Sequence, residues 1–393
     1  MFFFSIVTTI ITLIYVFIGW RVLGPLPVTS ATRYLLWTGL IALAWSIPLS
    51  FAIRINFPRW PYNDLLAWVS YLNLGFFTLL ASLLVVKEIL WVLWSVWQSW
   101  MGPQPDPVAV TIGGMDRRHF LQNTANALTG VIALFTGAFG FYQARFQFRL
   151  EQPRILIPDL HPDLEGFRIV QISDVHIGPT LKQDFLDSIV QKVNRLNADV
   201  IAITGDLVDG PVERLGAIVA RLSQLQSRYG SYFVHGNHEF YSGFHAWDRA
   251  LRQMDLKVLN NEHRIIAHGQ ARLLLAGVTD LSASARAGLI SDPDRSLAGA
   301  PSHDLRVLLA HQPNSIDAAS RAGFHLQLSG HTHGGQYFPG NILIHLFQRY
   351  VRGLYRHANT WLYVNRGTGY WGPPLRIGAP PEITLVTLQR ASS

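Results

Sequence analysis

The segment GHTHGGQ at residues 330–336 places two histidines one residue apart, between glycines. Imidazole nitrogens bind transition metals, and glycine lets the backbone turn sharply beside an ion. A polar surface loop that happens to contain histidines explains this segment equally well when it is taken alone. A metal site makes a further demand, because one short loop cannot complete a coordination sphere and the other ligands must come from elsewhere in the chain.

Four other polar clusters meet that demand, since each directly follows an apolar run typical of a strand. They read SDVH at 173–176, GDLVD at 205–209, GNHE at 236–239 and HQP at 311–313. Loops at the carboxyl ends of strands gather into sites in layered α/β folds, so we expect these loops to converge. The candidate metal ligands on them are Asp174, His176, Asp206, Asn237, His311, His331 and His333.

These side chains offer nitrogen and oxygen donors of the kind that suits Mn, Fe, Zn, Co or Ni. A carboxylate has two oxygens, so one aspartate can bridge two cations, while asparagine adds a neutral oxygen. Two divalent cations about 3.5–4 Å apart can clamp a phosphoryl group and activate a water molecule. The chain has no cysteine, which excludes thiolate ligands, thiolate catalysis and disulfides.

The segment that carries these clusters alternates between strand and helix patterns. The alternating runs lie at 168–173, 183–196, 199–205, 212–227 and 231–236. This order predicts strands joined by crossover helices. Later strands, including a predicted hairpin near 264–278, are less regularly separated by helices. We therefore predict an α/β domain over residues 150–390, a β-sandwich flanked by helices with a βαβαβ core.

The ordered clusters resemble the calcineurin-like metallophosphoesterase superfamily, whose signature is D-x-H, GD-x-x, GNH-[DE], H and GH-x-H. Every element stands in this chain, in that order, within residues 150–390. GHTHGGQ and the tail VNRGTGYWGPPLRIG look like the membrane-associated YkuE-like branch. The resemblance implies a metal-dependent phosphoric ester hydrolase that uses two divalent metal ions.

The resemblance also implies a role for individual residues. The implied ligands form two groups, one for each ion, and Asp206 bridges the two ions. The first group is Asp174, His176 and His333, and the second is Asn237, His311 and His331. His238 is not a ligand but contacts the phosphate and helps the leaving group depart. Asp209 either orients a ligand or is a polar turn residue. Arg366 and Arg376 either bind substrate phosphate or form structural ion pairs.

Residues 1–100 are predicted to be a transmembrane anchor of three helices. Uncharged runs at 1–20, 34–53 and 65–86 each approach the ~20 residues that a helix needs to span a bilayer. Buried core helices are the alternative. Four tryptophans at 91–100 recur every third residue. They indicate either the end of the third helix at the membrane–water interface or an aromatic face packed against another helix.

Residues 101–126 are predicted to be a linker with a twin-arginine-like motif at Arg117-Arg118, followed by a fourth transmembrane helix at 127–145. The motif is either an export signal in an unusual position or the basic cytoplasmic end of a plain helix. The positive-inside bias then places the domain after residue 145 on the extracytoplasmic side of the inner membrane.

The charges give little support for nucleic-acid binding, and no such partner is expected. Residues 151–393 hold twenty-three basic and twenty-one acidic side chains, without a basic patch. We expect a membrane-anchored phosphoesterase that hydrolyses a phosphodiester or pyrophosphate, lipid-linked or membrane-proximal. One alternative is a UDP-2,3-diacylglucosamine pyrophosphatase-type hydrolase of lipid A synthesis, whose cytoplasmic substrate disagrees with the predicted topology. A less favoured alternative is a non-catalytic binding or sensor protein on the same fold.

The segment YFPGNILIHLFQRYVRGLYRH at 337–357 mixes apolar and aromatic residues with three arginines. It directly follows the GHTHGGQ loop. Such a segment rests on a membrane or accepts an acyl chain. The alternative, which we favour from the sequence, is an ordinary core helix with a solvated basic edge.

Overall fold

The computed structural model describes residues 2–101, 111–112 and 115–391, without the side chains of residues 2–4, 111–118 and 286. It divides into two compact units. One comprises Met1–Phe141 with Gly372–Pro374, and the other Tyr142–Trp371 with Leu375–Ser393. Much of the predicted linker, at 102–110 and 113–114, lies outside the described residues.

The first unit is built from helices. Its elements are α1 (Phe2–Ile18), which continues as a π-helical turn at Gly19–Leu23, α2 (Ser30–Asn56), α3 (Asn63–Trp100), the short paired strands β1 (Thr111–Ile112) and β2 (Met115–Asp116), and α4 (Arg117–Phe146). Among the described residues, four helices are long and apolar enough to cross a membrane. The tryptophans at 91–100 belong to the last turns of α3 and are exposed.

Charged side chains in this unit pair with one another near one end of the apolar helices. Glu88 on α3 contacts Arg21 at 2.5 Å and Lys87 at 2.8 Å. Asn126 on α4 accepts from Lys87 and donates to the Arg21 carbonyl. Such pairing lowers the cost of placing charges beside lipid, which agrees with helices that serve as an anchor.

The second unit contains two sheets. Its strands are β3 (Arg149–Glu151), β4 (Arg154–Ile157), β5 (Arg168–Ile172), β6 (Val200–Ile203), β7 (Ser231–Phe233), β8 (Lys257–Val258), β9 (Glu262–His268), β10 (Ala271–Gly277), β11 (Leu305–Leu309), β12 (Leu326–Ser329), β13 (Gly353–His357), β14 (Thr360–Val364) and β15 (Glu382–Arg390). One sheet has the order β3-β15-β5-β6-β7-β8, with β4 also paired to β15. The other has the order β13-β14-β12-β11-β10-β9.

The second unit also contains seven helices among its described residues. They are α5 (Gln183–Asn194), α6 (Val212–Val219), α7 (Asn237–Tyr241), α8 (Phe244–Gln253), α9 (Pro293–Ser296), α10 (Ile316–Arg321) and α11 (Gly340–Leu343). Apolar side chains of α5, α6 and α8 pack on one face of the first sheet, and α10 packs on the second sheet. Between the sheets lies a third cluster, to which both contribute side chains such as Ile169 and Leu275.

The predicted β-sandwich flanked by helices is therefore confirmed. The order β5-α5-β6-α6-β7 forms parallel pairs, as the βαβαβ pattern predicts. Strands β9 and β10 form the predicted antiparallel hairpin. Residues of β6 are buried on both faces, which explains why VIAI reads as a continuous apolar run rather than an alternating one.

Candidate metal centre

The candidate ligands all follow the carboxyl ends of strands in the two sheets. Asp174 and His176 follow β5, Asp206 follows β6, and Asn237 follows β7. The remaining ligands follow two adjacent strands of the other sheet, His311 after β11 and His331 and His333 after β12. Because these strands run parallel within each sheet, their ends meet on one side, and the structure brings the predicted side chains together.

Asp174, His176 and His333 form the first group, and their donor atoms all lie within 4.8 Å of one another. Nε2 of His176 lies 3.0 Å from Nε2 of His333, which in turn lies 3.5 Å from Oδ1 of Asp174. The Asp174 carboxylate also accepts from the backbone N–H of His331. The group is buried, so little water competes for these donors.

Asp206, His311 and His331 form the second group within the same limit. Nε2 of His311 lies 3.2 Å from Oδ2 of Asp206, 3.2 Å from Oδ1 of Asn237 and 3.1 Å from Nδ1 of His331. Oδ1 of Asn237 therefore lies beside this group. Asp206 lies between the groups, because its Oδ2 is also 3.9 Å from Nε2 of His176.

The second group offers nitrogen and oxygen donors of the kind that bind divalent cations. Nδ1 of His311 lies 2.8 Å from the Thr204 carbonyl and must donate to it, which leaves Nε2 to face the oxygens of Asp206 and Asn237. Burial disfavours a charged ring, but the Asp206 carboxylate outweighs burial and holds the pKa of His311 well above its ordinary value. The site therefore attracts positive charge, and a cation can replace that proton.

The backbone at the ligands adopts a conformation that side chains rarely tolerate. Among the candidate ligands, φ is positive at Asp174 (52°), His176 (54°), Asp206 (51°), His331 (73°) and His333 (51°). Left-handed backbone at residues other than glycine costs about 1–3 kcal/mol each and clusters at functional sites. The surrounding fold thus stabilises a strained backbone conformation at these residues, which directs their side chains toward the same site.

Two glycines allow the loops to approach one another closely. A Cβ on Gly236 would lie 2.2 Å from Oδ1 of Asp206, and a Cβ on Gly330 would lie 2.0 Å from Oγ of Ser173. No other residue type fits at either position without displacing a ligand loop. This is the physical reason for the glycines that precede Asn237 and His331.

His238 forms a third group with His176 and Asp206, whose donor atoms also lie within 4.8 Å of one another, and it is held by Asp209. Nδ1 of His238 lies 2.6 Å from Oδ1 of Asp209, and the same oxygen lies 3.1 Å from Nδ1 of His176. Nε2 of His238 faces the centre, 3.9 Å from Oδ2 of Asp206. Burial opposes the charged ring, but the carboxylates of Asp206 and Asp209 outweigh it and raise the pKa of His238 to about 9. Of the two interpretations of Asp209, the geometry favours orientation of a ligand.

Glu239 is a structural residue of the site to which the sequence assigned no role. Its carboxylate accepts from the backbone N–H groups of Asp206 (3.0 Å), Leu207 (2.7 Å), Val208 (3.3 Å) and Gly236 (2.7 Å). It thereby holds the loop after β6 against the loop after β7. The sequence feature that could have indicated this role is the position of Glu239 next to His238 in GNHE.

Arg366 and Arg376 are structural residues, and the structure favours this alternative over phosphate binding. Arg366 is paired with Glu382 at 2.5 Å and with Glu151. Arg376 is 0% exposed, and its guanidinium donates to backbone carbonyls, including that of His333 at 2.8 Å. It also donates to Nδ1 of His333 at 2.8 Å, so it orients that ring.

Fold and site together define the class of this protein. A two-sheet sandwich whose strand ends present aspartates, an asparagine and histidines in two groups that share one carboxylate is a metallohydrolase scaffold.

Comparison with known proteins identifies the family. The sequence profile of the calcineurin-like phosphoesterases matches residues 167–335. A metallophosphoesterase of Helicobacter pylori is 38% identical over 63% of this chain and 66% of its own length. A transmembrane protein with metallophosphoesterase domain from Danio rerio is 38% identical over 67% of this chain and 62% of its own. The Bacillus subtilis metallophosphoesterase YkuE is 29% identical over 70% of this chain and 98% of its own.

The chain belongs to the calcineurin-like metallophosphoesterase family, and the predicted YkuE-like relationship is confirmed. The predicted domain class, a metal-dependent phosphoric ester hydrolase, is confirmed with it. The chain spans less than two thirds of the length of the H. pylori and D. rerio relatives.

Proposed function

We propose that this chain is a membrane-anchored phosphoesterase that uses two divalent metal ions to hydrolyse a phosphodiester or pyrophosphate, lipid-linked or membrane-proximal. The observation that carries the proposal is the position of Asp206 between the two groups of donors. Its Oδ2 is 3.2 Å from Nε2 of His311 and 3.9 Å from Nε2 of His176. One carboxylate placed in this way can bridge two ions.

Each part of the arrangement has a chemical use. When bound, divalent cations at the two groups polarise phosphoryl oxygens and lower the pKa of water. His238 points Nε2 into the centre, and the Asp209 carboxylate at Nδ1 favours the protonated form of the ring. It can therefore bind a phosphate oxygen and give its proton to the leaving oxygen, as a general acid does. Asp209 fixes the ring through Nδ1 and keeps Nε2 directed at the ester.

The membrane helices support the choice of a membrane-proximal substrate. Four described helices are apolar enough to span a bilayer, and the D. rerio relative carries the word transmembrane in its name. Only residues 147–148 separate α4 from β3, so the hydrolase unit begins directly after the last apolar helix. With Arg117 and Arg118 on the cytoplasmic side, as the positive-inside bias favours, the unit lies on the extracytoplasmic side of the inner membrane.

The proposal is tested by hydrolysis with the purified full chain in detergent. Bis(p-nitrophenyl) phosphate and p-nitrophenyl phosphate are supplied to metal-free protein and to protein given Mn, Fe, Zn, Co or Ni. Release that requires metal and that His238→Ala lowers by about 10²–10⁴-fold agrees with the proposal. Equal rates for His238→Ala and for His245→Ala, a change of an exposed histidine, would contradict the role of His238.

A further inference from the structure

The loop at residues 337–350, here called the apolar loop, is fastened to the candidate metal centre at both ends. At its start, Tyr337 donates to the Gly335 carbonyl at 2.7 Å, and Gly335 approaches Gly340 so closely that a Cβ would lie 2.4 Å from its oxygen. At its end, Oγ1 of Thr332 donates to the Val351 carbonyl at 2.6 Å. Since Thr332 lies between His331 and His333, the loop projects directly from the metal centre.

Four apolar side chains of this loop face outward. Ile342 is 61% exposed, Leu343 47%, Leu346 75% and Phe347 77%. The core-helix interpretation favoured from the sequence is therefore wrong for this segment, because a core helix would bury these side chains. They occupy α11 and the 3₁₀ turn at Ile344–Leu346. Their exposure side by side in so short a stretch marks a surface that binds something apolar.

Charge near the loop identifies what it binds. Residues 318–381 contain six arginines and no aspartate or glutamate, although Arg366 and Arg376 are buried and Arg349 lies 3.6 Å from Asp317. Among them, Arg349 and Arg352 follow the exposed apolar residues and are themselves exposed. An apolar set bordered by basic side chains fits the boundary of a bilayer, where acyl chains lie below anionic headgroups. Four described helices are long and apolar enough to hold the chain at a membrane.

We propose that the apolar loop docks on an anionic lipid surface, with Leu346 and Phe347 inserted and the arginines at the headgroups. Because both ends of the loop are fastened beside His331 and His333, docking brings the metal centre to the depth of the headgroups. The centre then meets phosphoesters that remain in the bilayer. The inference rests on the proposed function in taking the substrate to be membrane-proximal.

Docking can be measured without turnover, because the full chain has no cysteine. Leu346→Cys is labelled with an environment-sensitive fluorophore, and the full chain is reconstituted in phosphatidylglycerol–phosphatidylcholine vesicles. The vesicles contain lipids with a nitroxide on the acyl chain, which quench a fluorophore that enters the bilayer.

Ser223→Cys is the matched control. Ser223 is exposed and lies in the turn after α6, which returns the chain from the carboxyl end of β6 toward the amino end of β7. It therefore marks the edge of the sheet opposite the metal centre.

We expect roughly twofold or greater quenching of the label at Leu346 and no comparable quenching of the label at Ser223. Equal, weak quenching at both positions overturns the docking proposal. A label at Leu346 that is shielded from water but not quenched by lipid also overturns it, because a second protein or a second copy then covers the loop.

Hydrolysis of bis(p-nitrophenyl) phosphate, which is water-soluble and needs no docking, separates the two proposals. Activity without quenching overturns docking alone. Quenching without activity toward any ester supports docking and contradicts the proposed function.

Discussion

The carboxylate of Asp209 accepts from Nδ1 of His238 at 2.6 Å, and its same oxygen lies 3.1 Å from Nδ1 of His176. One side chain thus orients a proposed metal ligand and the proposed general acid. The two rings lie nearly perpendicular, with centroids 4.6 Å apart. The position of His238 relative to the metal centre is therefore set by a shared anchor.

The first prediction concerns this anchor. Asp209→Asn removes a negative charge that raises the pKa of His238, so that pKa falls. Because a general acid must be protonated, the alkaline limb of the kcat profile moves to lower pH. We also expect kcat to fall about 10–100-fold, as for other changes of residues that orient ligands. The measurement is kcat against pH with bis(p-nitrophenyl) phosphate, beside Asp255→Asn, a change of an exposed aspartate. An unshifted alkaline limb would contradict the role of His238.

The second prediction concerns metal removal. Bound cations stabilise the folded state, by about 2.7 kcal/mol when the free metal is at a hundred times its Kd. Chelation should therefore lower Tm, and added Mn should restore it, when the full chain is heated in detergent. Asp206→Asn should lose most of this gain, because the bridging carboxylate is gone. Asp294→Asn, at an exposed position, should keep it. A gain that is the same in both variants would show that the metal binds elsewhere.

The third prediction concerns Arg376. Its buried guanidinium donates to the carbonyls of His333, Arg366, Gly369 and Ala379. A lysine keeps the charge but lacks the planar fork of donors, so Arg376→Lys leaves buried acceptors unsatisfied. We expect a loss of roughly 3 kcal/mol in the free energy of unfolding, measured by urea denaturation.

Metal affinity is an independent test of whether Arg376 orients His333. Because Arg376 donates to Nδ1 of His333, the variant should also bind metal about 10–100-fold more weakly. Arg321→Lys, at an exposed position, is the control. Stability and affinity equal to that control would show that Arg376 neither holds the fold nor orients His333.

The fourth prediction concerns Glu239. Glu239→Gln replaces a carboxylate that accepts from four backbone N–H groups with an amide whose NH₂ faces some of them. We expect a loss of about 2 kcal/mol in the free energy of unfolding, together with weaker metal binding, since the Asp206 loop is released. Urea denaturation measures the first effect and calorimetric titration with Mn measures the second, each beside Glu213→Gln at an exposed position. Unchanged Mn affinity would show that Glu239 does not position the metal ligands.

Much of the candidate site could be predicted from the sequence because its residues follow strands in short, recognisable clusters. Parallel strands place their carboxyl ends on one side, so Asp174, Asp206 and Asn237 converge by topology. The role of Asp209 could not be decided from the sequence, because spacing alone does not show whether its carboxylate faces His176 or solvent. The contact at 3.1 Å depends on how the two loops pack.

Other features depend on contacts between distant parts of the chain and could not be predicted. Glu239 bonds the backbone of residues 206–208, which only the stacked loops bring near. Arg376 was considered as a phosphate ligand because arginine binds phosphate well. In the structure its guanidinium is buried and donates to backbone carbonyls instead. The apolar loop was misjudged because an apolar segment has the same composition in a core and at a membrane surface.

The most direct test of the central claim is a metal titration of the metal-free full chain. Bound metal per chain and hydrolysis of bis(p-nitrophenyl) phosphate are recorded together, for the natural sequence and for Asp206→Asn. The account predicts that hydrolysis rises as the second ion binds and that Asp206→Asn remains inactive at the same total metal. Full hydrolysis by metal-free protein, or by Asp206→Asn, would contradict it.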